Sequence, residues 1–511
     1  MIRDVSEGPE LVVGLVGAIG ADLTWVSESL RRQLTTAGYC SSEIRVSALL
    51  HDIAEYSSLA DITDRERYYD EHMNKGNEVC ERLRRADAMA LLALLQLRTC
   101  REDTNSAAGR DVGGPAERHA YVLNSLKRPE EIRFLKKVYG DAFVLLGAYA
   151  SRETRRDTLA SRIAGSQNRE ADQCRHIAER LISRDESEAT EYGQDVSHTF
   201  FRADAFIDAT ERPLAEGSIR RFVDVVFGHP FETPSRDELG MQHAFSSALR
   251  SADLSRQVGA AICSEDGQVI AVGTNEVPKA GGGFYWPGDS DYRDFRYAEA
   301  DEPNAEMKRI ILSDLLRRLD DEKLLATGLV LDAAMIDEIA RRDRVKKSRL
   351  MNIIEFGRAV HAEMAAITDA ARRGISVSGA TLYCTTFPCH NCAKHVVAAG
   401  IRQVIYIEPY PKSEVARLFA DSIALDRATR EQVAFSSFVG FAPTRFADFF
   451  QARKRVDDAK RILNWDSIRM TAQPRISGIA AAYMTEEITQ IEELKKRLPT
   501  AELHLKKGEQ V

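Results

Sequence analysis

Four residues in the last third of the chain have the types and spacing for metal chemistry. His361 and Glu363 form an H-x-E pair, and Cys389 and Cys392 form a P-C-x-x-C pair 28 residues after the histidine. Cysteines at i and i+3 share one face of a helix, so both thiolates can reach one ion. One histidine and two cysteines make three protein ligands. The fourth corner of a tetrahedral zinc is then left for water, which marks a catalytic rather than a structural site. Glu363 is placed to reach that water without ligating the metal. Either half alone reads better as a redox or fortuitous CxxC beside an unrelated histidine. Both halves together, each at an expected helix start, favour a zinc site with a proton-moving carboxylate. Cys384 reads as a buried small hydrophobe rather than a fourth ligand, and His390 and His395 as supporting or surface residues.

The elements that must position these groups follow from the apolar pattern. Helices are expected over His243–Ser251, His361–Arg372 and Cys389–Ala399. Strands are expected over Val258–Cys263, Val269–Val272, Thr381–Cys384 and Gln403–Ile407, the first two around the turn EDG at 265–267. A charged insertion spans about 280–350 and includes DYRDF (Asp291–Phe295) and the run RRDRVKKSR (Arg341–Arg349), whose six basic residues face one acid. Such a run usually forms a solvated helix, and its place ahead of the active-site helix also allows a subunit or phosphate contact. The tail from about 450 is charged and reads as mostly helical.

Toward the start, Leu11–Val16 and Ala142–Ala150 read as buried parallel strands. Leu23–Thr36 and the arginine-rich Ser151–Arg162 read as helices, giving an open parallel α/β sheet. The expected division is 1–190 for this domain, 191–240 for a connection and 241–511 for the metal-bearing domain.

Composition bounds the reading. The chain has 511 residues, which is about three domains' worth, with 44% hydrophobic residues and a net charge of −8. It has neither a disordered composition nor the basic footprint of a tight polynucleotide binder. No apolar run approaches a membrane span, and the first residues do not read as a signal peptide. Eight cysteines with one CxxC argue for metal or redox chemistry in a cytoplasmic setting.

H-x-E with a later P-C-x-x-C is the signature of zinc-dependent nucleobase deaminases. Around it, SADLSRQVGA (251–260), GTNEVP (273–278), HAEMAAI (361–367) and TLYCTTFPCHNCAKHVVAAGI (381–401) resemble the deoxycytidylate deaminase branch of the cytidine deaminase superfamily. The resemblance implies a three-layer α/β/α deaminase domain and a zinc cofactor held by His361, Cys389 and Cys392. It implies that Glu363 acts as the proton shuttle and that Asn275 hydrogen-bonds the sugar. Ser255, Arg256 and Lys412 are phosphate-contact candidates, with an ordinary surface role equally open for each.

The resemblance reaches the whole chain. It is similar to a bacterial anti-phage group that joins an N-terminal P-loop nucleotide-kinase-like domain to a deaminase of dCTP and dCMP. Gly14, Gly17, Gly20 and Thr24 then belong to a phosphate-binding loop, with Mg²⁺ accompanying any bound nucleotide. The motif departs from the P-loop pattern: Leu23 stands where the lysine belongs and Asp22 where the second glycine belongs, so phosphoryl transfer is doubtful. Regulatory nucleotide binding, assembly as a homo-oligomer, sensing, or a structural relic are the readings left. Arg152, Arg155, Arg156 and Arg162 resemble a nucleotide-kinase lid, and read equally as a solvated face. Two other readings of the metal site stay open: a deaminase that edits single-stranded nucleic acid, and a zinc-containing nucleotide sensor without turnover.

Overall fold

The computed structural model describes residues 8–297, 302–326, 329–410, 413–425, 431–451, 454–476 and 478–505. Lys412 lies outside them. The chain divides into two compact units, Met1–Ser235 with Val439–Val511, and Arg236–Phe438.

The first unit is built on five parallel strands: β1 (Leu11–Val16), β2 (Cys40–Arg45), β3 (His119–Leu126), β4 (Phe143–Tyr149) and β5 (Ala205–Asp208). They lie in the order β5-β4-β1-β3-β2. β1 is central and every residue in it is buried, as an apolar run between two parallel neighbours must be. Helices α1 (Leu23–Thr36), α2 (Arg65–Leu83), α3 (Ala88–Ala107), α4 (Pro129–Tyr139), α5 (Arg152–Gln167) and α6 (Ala171–Glu186) belong to this unit, and the loop from β1 into α1 opens at the carboxyl end of β1.

The expected boundaries fail at two points. Residues 191–240 are not a connection: β5 pairs with β4 in register Leu146↔Ala205, and helix α7 (Arg212–Val226) buries Ile219, Phe222 and Val223 in the core. The tail also does not stay with the metal-bearing domain. Gly440–Phe441 pairs antiparallel with β5, and the C-terminal helix Ala480–Arg497 belongs to the first unit. That helix buries Ile491 and Leu494 together with a charged cluster. Arg101 of α3, 2% exposed, donates to Glu487 at 2.5 and 2.8 Å and to Glu10 at 2.8 Å, while the Tyr483 hydroxyl donates to Glu10 at 2.8 Å. Buried charges persist only when paired in this way.

The second unit has a six-stranded sheet in the order β10-β11-β9-β8-β6-β7. Its strands are β6 (Gly259–Cys263), β7 (Val269–Thr274), β8 (Thr381–Thr386), β9 (Gln403–Glu408), β10 (Ile423–Leu425) and β11 (Val433–Ser437). β6 pairs antiparallel with β7 and β8, and the rest of the ladder is parallel. Four helices matter here: α8 (Arg236–Ala248), α9 (Pro303–Asp321) in the insertion, α10 (Ala362–Arg372) and α11 (His390–Ala398). α10 lies directly on the sheet because Gly273 has no side chain. A Cβ there would sit 2.1 Å from the Ala362 carbonyl oxygen and 2.5 Å from the Ala366 nitrogen. Among the described residues, no helix is long and apolar enough to cross a membrane.

Candidate active site

The three candidate metal ligands stand at two helix starts. His361 is the N-cap of α10 and Cys389 the N-cap of α11, both with extended backbone, and Cys392 follows one turn later. The Cys389 and Cys392 sulfurs lie 3.3 and 3.4 Å from Nδ1 of His361, and the three donor atoms are within 4.8 Å of one another. With zinc bonds of about 2.0–2.3 Å to nitrogen and sulfur, such separations suit one tetrahedral ion. The donor set fits zinc on chemical grounds too, since borderline-soft imidazole and thiolate ligands select it. The positive end of α11 favours thiolate at Cys389. Cys389 is held below the ordinary thiol range by the hydrogen bond from Cys392 and by His361, whereas its partner Cys392 is pushed up.

Glu363 sits in the first turn of α10, 4% exposed, and lines the same cavity as His361 and Cys389. Burial pushes its carboxyl pKa up, with His361 pulling the other way. The cavity holds about 560 Å³ and is also lined by Asp253, Ser255, Arg256, Asn275, Thr386, Phe387 and Tyr410.

Asn275 is at this cavity, and part of its amide is engaged. Its Oδ1 accepts from the Val258 amide at 2.7 Å and its Nδ2 donates to the Arg256 carbonyl at 2.8 Å, leaving one N–H and one lone pair. It therefore braces the segment that carries Ser255 and Arg256. Ser255 is exposed and its hydroxyl is turned to Asp253. Arg256 stands over the Tyr410 ring at 5.3 Å, with Glu408 at 3.8 Å. Cys384 is fully buried in the core of this unit and lies outside the metal cluster. His390 comes within 3.8 Å of Glu355, and His395 is exposed.

Sequence reasoning missed the contribution of the insertion. Asp294, Glu302, Asn304 and Lys308 line the cavity, the last two from α9. The acids among them are already engaged. Asp294 pairs with Arg358 at 2.8 Å, and Glu302 accepts the Asn304 and Ala305 amides at 2.9 and 2.7 Å. Lys308 has no carboxylate partner among the described residues, and no local motif announces it.

A second cavity, of about 630 Å³, lies in the first unit and is lined by Gly17, Gly20, Asp22, Leu23 and Thr24. Gly14 is not part of it. It lies inside β1, where a Cβ would come within 2.7–3.0 Å of Leu126, Phe143 and Leu145, so its role is packing. Of the lid-like arginines, Arg152 and Arg155 pair with Glu186, Arg156 with Asp157, and Arg162 with Asp22.

Two sheet-borne helices start at one His/Cys/Cys cluster that could hold a metal ion, with a buried glutamate beside it. Residues 234–408 match the cytidine and deoxycytidylate deaminase zinc-binding region, and the second unit is a domain of that family. Among its relatives, the deoxycytidylate deaminase of Enterobacteria phage T2 is 47% identical over 55 residues, 11% of this chain and 29% of the phage protein. ComE operon protein 2 of Bacillus subtilis (strain 168) is 34% identical over 90 residues, 15% of this chain and 48% of the relative. The chain thus spans less than half the length of these two relatives. The dCMP deaminase from cyanophage S-TIM5, solved in complex with dCMP and dUMP, aligns over 40% of this chain and 99% of its own at 18% identity and a TM-score of 0.23.

Proposed function

We propose that this chain hydrolyses the amino group of free deoxycytidine nucleotides, dCTP and dCMP, giving dUTP or dUMP and ammonia. The observation that carries the reading is the His361–Cys389–Cys392 cluster with buried Glu363 beside it, inside the family match. Zinc held by those three residues would supply the Lewis acidity that makes a water nucleophilic near neutral pH. Glu363 would take a proton from the attacking water and deliver it to N3 of cytosine as C4 is attacked, and would then take the remaining proton of the new C4 hydroxyl and pass it to the departing amino group, which leaves as ammonia. Asn275 holds the Arg256–Val258 segment and offers its remaining amide groups to the sugar. Arg256 and Lys308 are the two lysine or arginine side chains among the cavity's lining residues, and they suit the phosphates; Ser255 and Lys412 are further candidates.

The first unit is read as a P-loop nucleotide-kinase-like fold that regulates or assembles the enzyme rather than transferring phosphate. A parallel sheet with a glycine-bearing loop after its central strand supports that reading, and Leu23 argues against transfer. Depletion of dCTP in anti-phage defence is the role that fits the pairing of these two units, and a homo-oligomer the expected form.

The test is to incubate the zinc-loaded chain with dCMP, dCTP, CTP, cytidine and single-stranded DNA and to follow products by chromatography. Turnover of dCMP or dCTP is expected. Turnover of DNA alone overturns the reading in favour of an editing enzyme, and no turnover of any substrate favours a sensor.

A further inference from the structure

The loop after β1 lacks its own lysine, but the structure brings one from elsewhere. Lys127 follows the last residue of β3, and its Nζ lies 3.3 Å from the Gly17 carbonyl oxygen and 2.8 Å from Oδ1 of Asp185. The other oxygen of Asp185 accepts the Ile19 amide of the loop at 2.7 Å. Asp185 is 0% exposed and is the second-last residue of α6. A carboxylate is disfavoured there twice, by burial and by the negative end of the helix. It is tolerated because a loop amide and an ammonium hold it. Those two groups are what a glycine-rich loop presents to a phosphate oxygen.

The rest of the loop is equally satisfied. Asp22 is paired with Arg162 at 3.2 Å and Arg212 at 2.9 Å. Gly20, at φ +93°, lies so close to α5 that a Cβ would fall 2.5 Å from the Arg155 carbonyl oxygen, which seats the loop firmly. Lys127 and Asp185 nonetheless both line the 630 Å³ cavity, so the pair borders open space rather than solid core.

We propose that Lys127 and the Ile19 amide form a polyphosphate seat in the first unit and that Asp185 occupies it from inside, so the loop takes phosphate only when this carboxylate is displaced. Asp185 is thus a built-in competitor, and the lysine missing at Leu23 is replaced by Lys127, just past the end of β3.

The experiment titrates the full chain with inorganic tripolyphosphate and magnesium by calorimetry. The wild-type chain is expected to bind at least about tenfold more weakly than Asp185→Asn, with the gain amounting to one site per chain. Asp185→Asn combined with Lys127→Met is expected to lose the gain. Asp185→Ser is read in parallel, so that poor folding of one variant, seen as a lost cooperative melt, does not decide the matter. Equal binding by wild type and either folded Asp185 variant overturns the proposal, as does a gain that survives Lys127→Met. If neither Asp185 variant folds, tight wild-type binding that Lys127→Met abolishes overturns it, and absence of such binding supports the closed seat. Deaminase activity is measured alongside, and its absence bears only on the reading of the second unit.

Discussion

The two cavities are of similar size, about 630 and 560 Å³, but opposite in electrostatic state. In the first unit nearly every charge at the loop has found a partner within the chain: Lys127 with Asp185, Asp22 with Arg162 and Arg212, and Arg128 with Glu131. In the second unit the acids at the rim are paired, whereas two thiols converge on one imidazole beside a buried carboxyl, and Lys308 has no carboxylate partner among the described residues. Desolvating charges is costly unless they are paired. Groups left in that condition at a cavity therefore await a ligand, and groups that have satisfied one another do not. A glycine-rich loop is poor evidence of an open phosphate site when the chain fills it.

Removing the group proposed to move the proton, Glu363, gives the largest expected effect. Glu363→Gln should lower ammonia release by about 10³-fold or more while keeping about one zinc per chain, checked by metal analysis. Cys392→Ser should lose metal and activity together. Activity near wild type in Glu363→Gln would break the comparison at its root, since the buried carboxyl would then be structural.

Next comes a satisfied cluster. Arg101→Met leaves Glu10 and Glu487 buried without their cation, and should cost about 3–5 kcal/mol in urea unfolding of the first unit. Lys308→Met tests the other kind of group. If Lys308 meets the substrate phosphates, its loss removes a charge-assisted contact and raises KM for dCMP and dCTP by roughly 10–100-fold at similar kcat. Deoxycytidine, which has no phosphate, should be unaffected. An equal loss with deoxycytidine would make Lys308 a packing residue.

These residues also show which features were legible in the sequence. The helix Leu23–Thr36 was read to the residue, because its apolar period is regular and strands bound it. The meeting of His361, Cys389 and Cys392 was legible because they sit at helix starts, where motif and local structure coincide. β5 was not, because a four-residue strand among charged neighbours has no period to detect. The tail's return was also hidden. Glu487 and Tyr483 look like surface residues, and become buried only through Arg101 and Glu10, 386 and 473 positions away. Lys308 is one lysine on a charged helix, and only the fold brings it to the cavity.

The smallest effect concerns protons in the first unit. His119 of β3 is 5% exposed, 2.9 Å from the Ser42 hydroxyl, and burial lowers its pKa to about 4. The unfolded histidine takes its proton near pH 6.5. Between these values the unfolded state binds more protons, so the first unit loses stability as pH falls, by about 1 kcal/mol between roughly pH 7 and 5.5. His72, at the loop cavity, is lowered in the same direction, chiefly by burial, and adds to that slope. Urea unfolding of wild type and His119→Gln at the two pH values measures it, and the variant should show the shallower dependence. An unchanged slope would mean that the ring takes up its proton as readily in the fold as in the unfolded chain, and that this unit has not sealed off its polar groups as fully as its paired loop suggests.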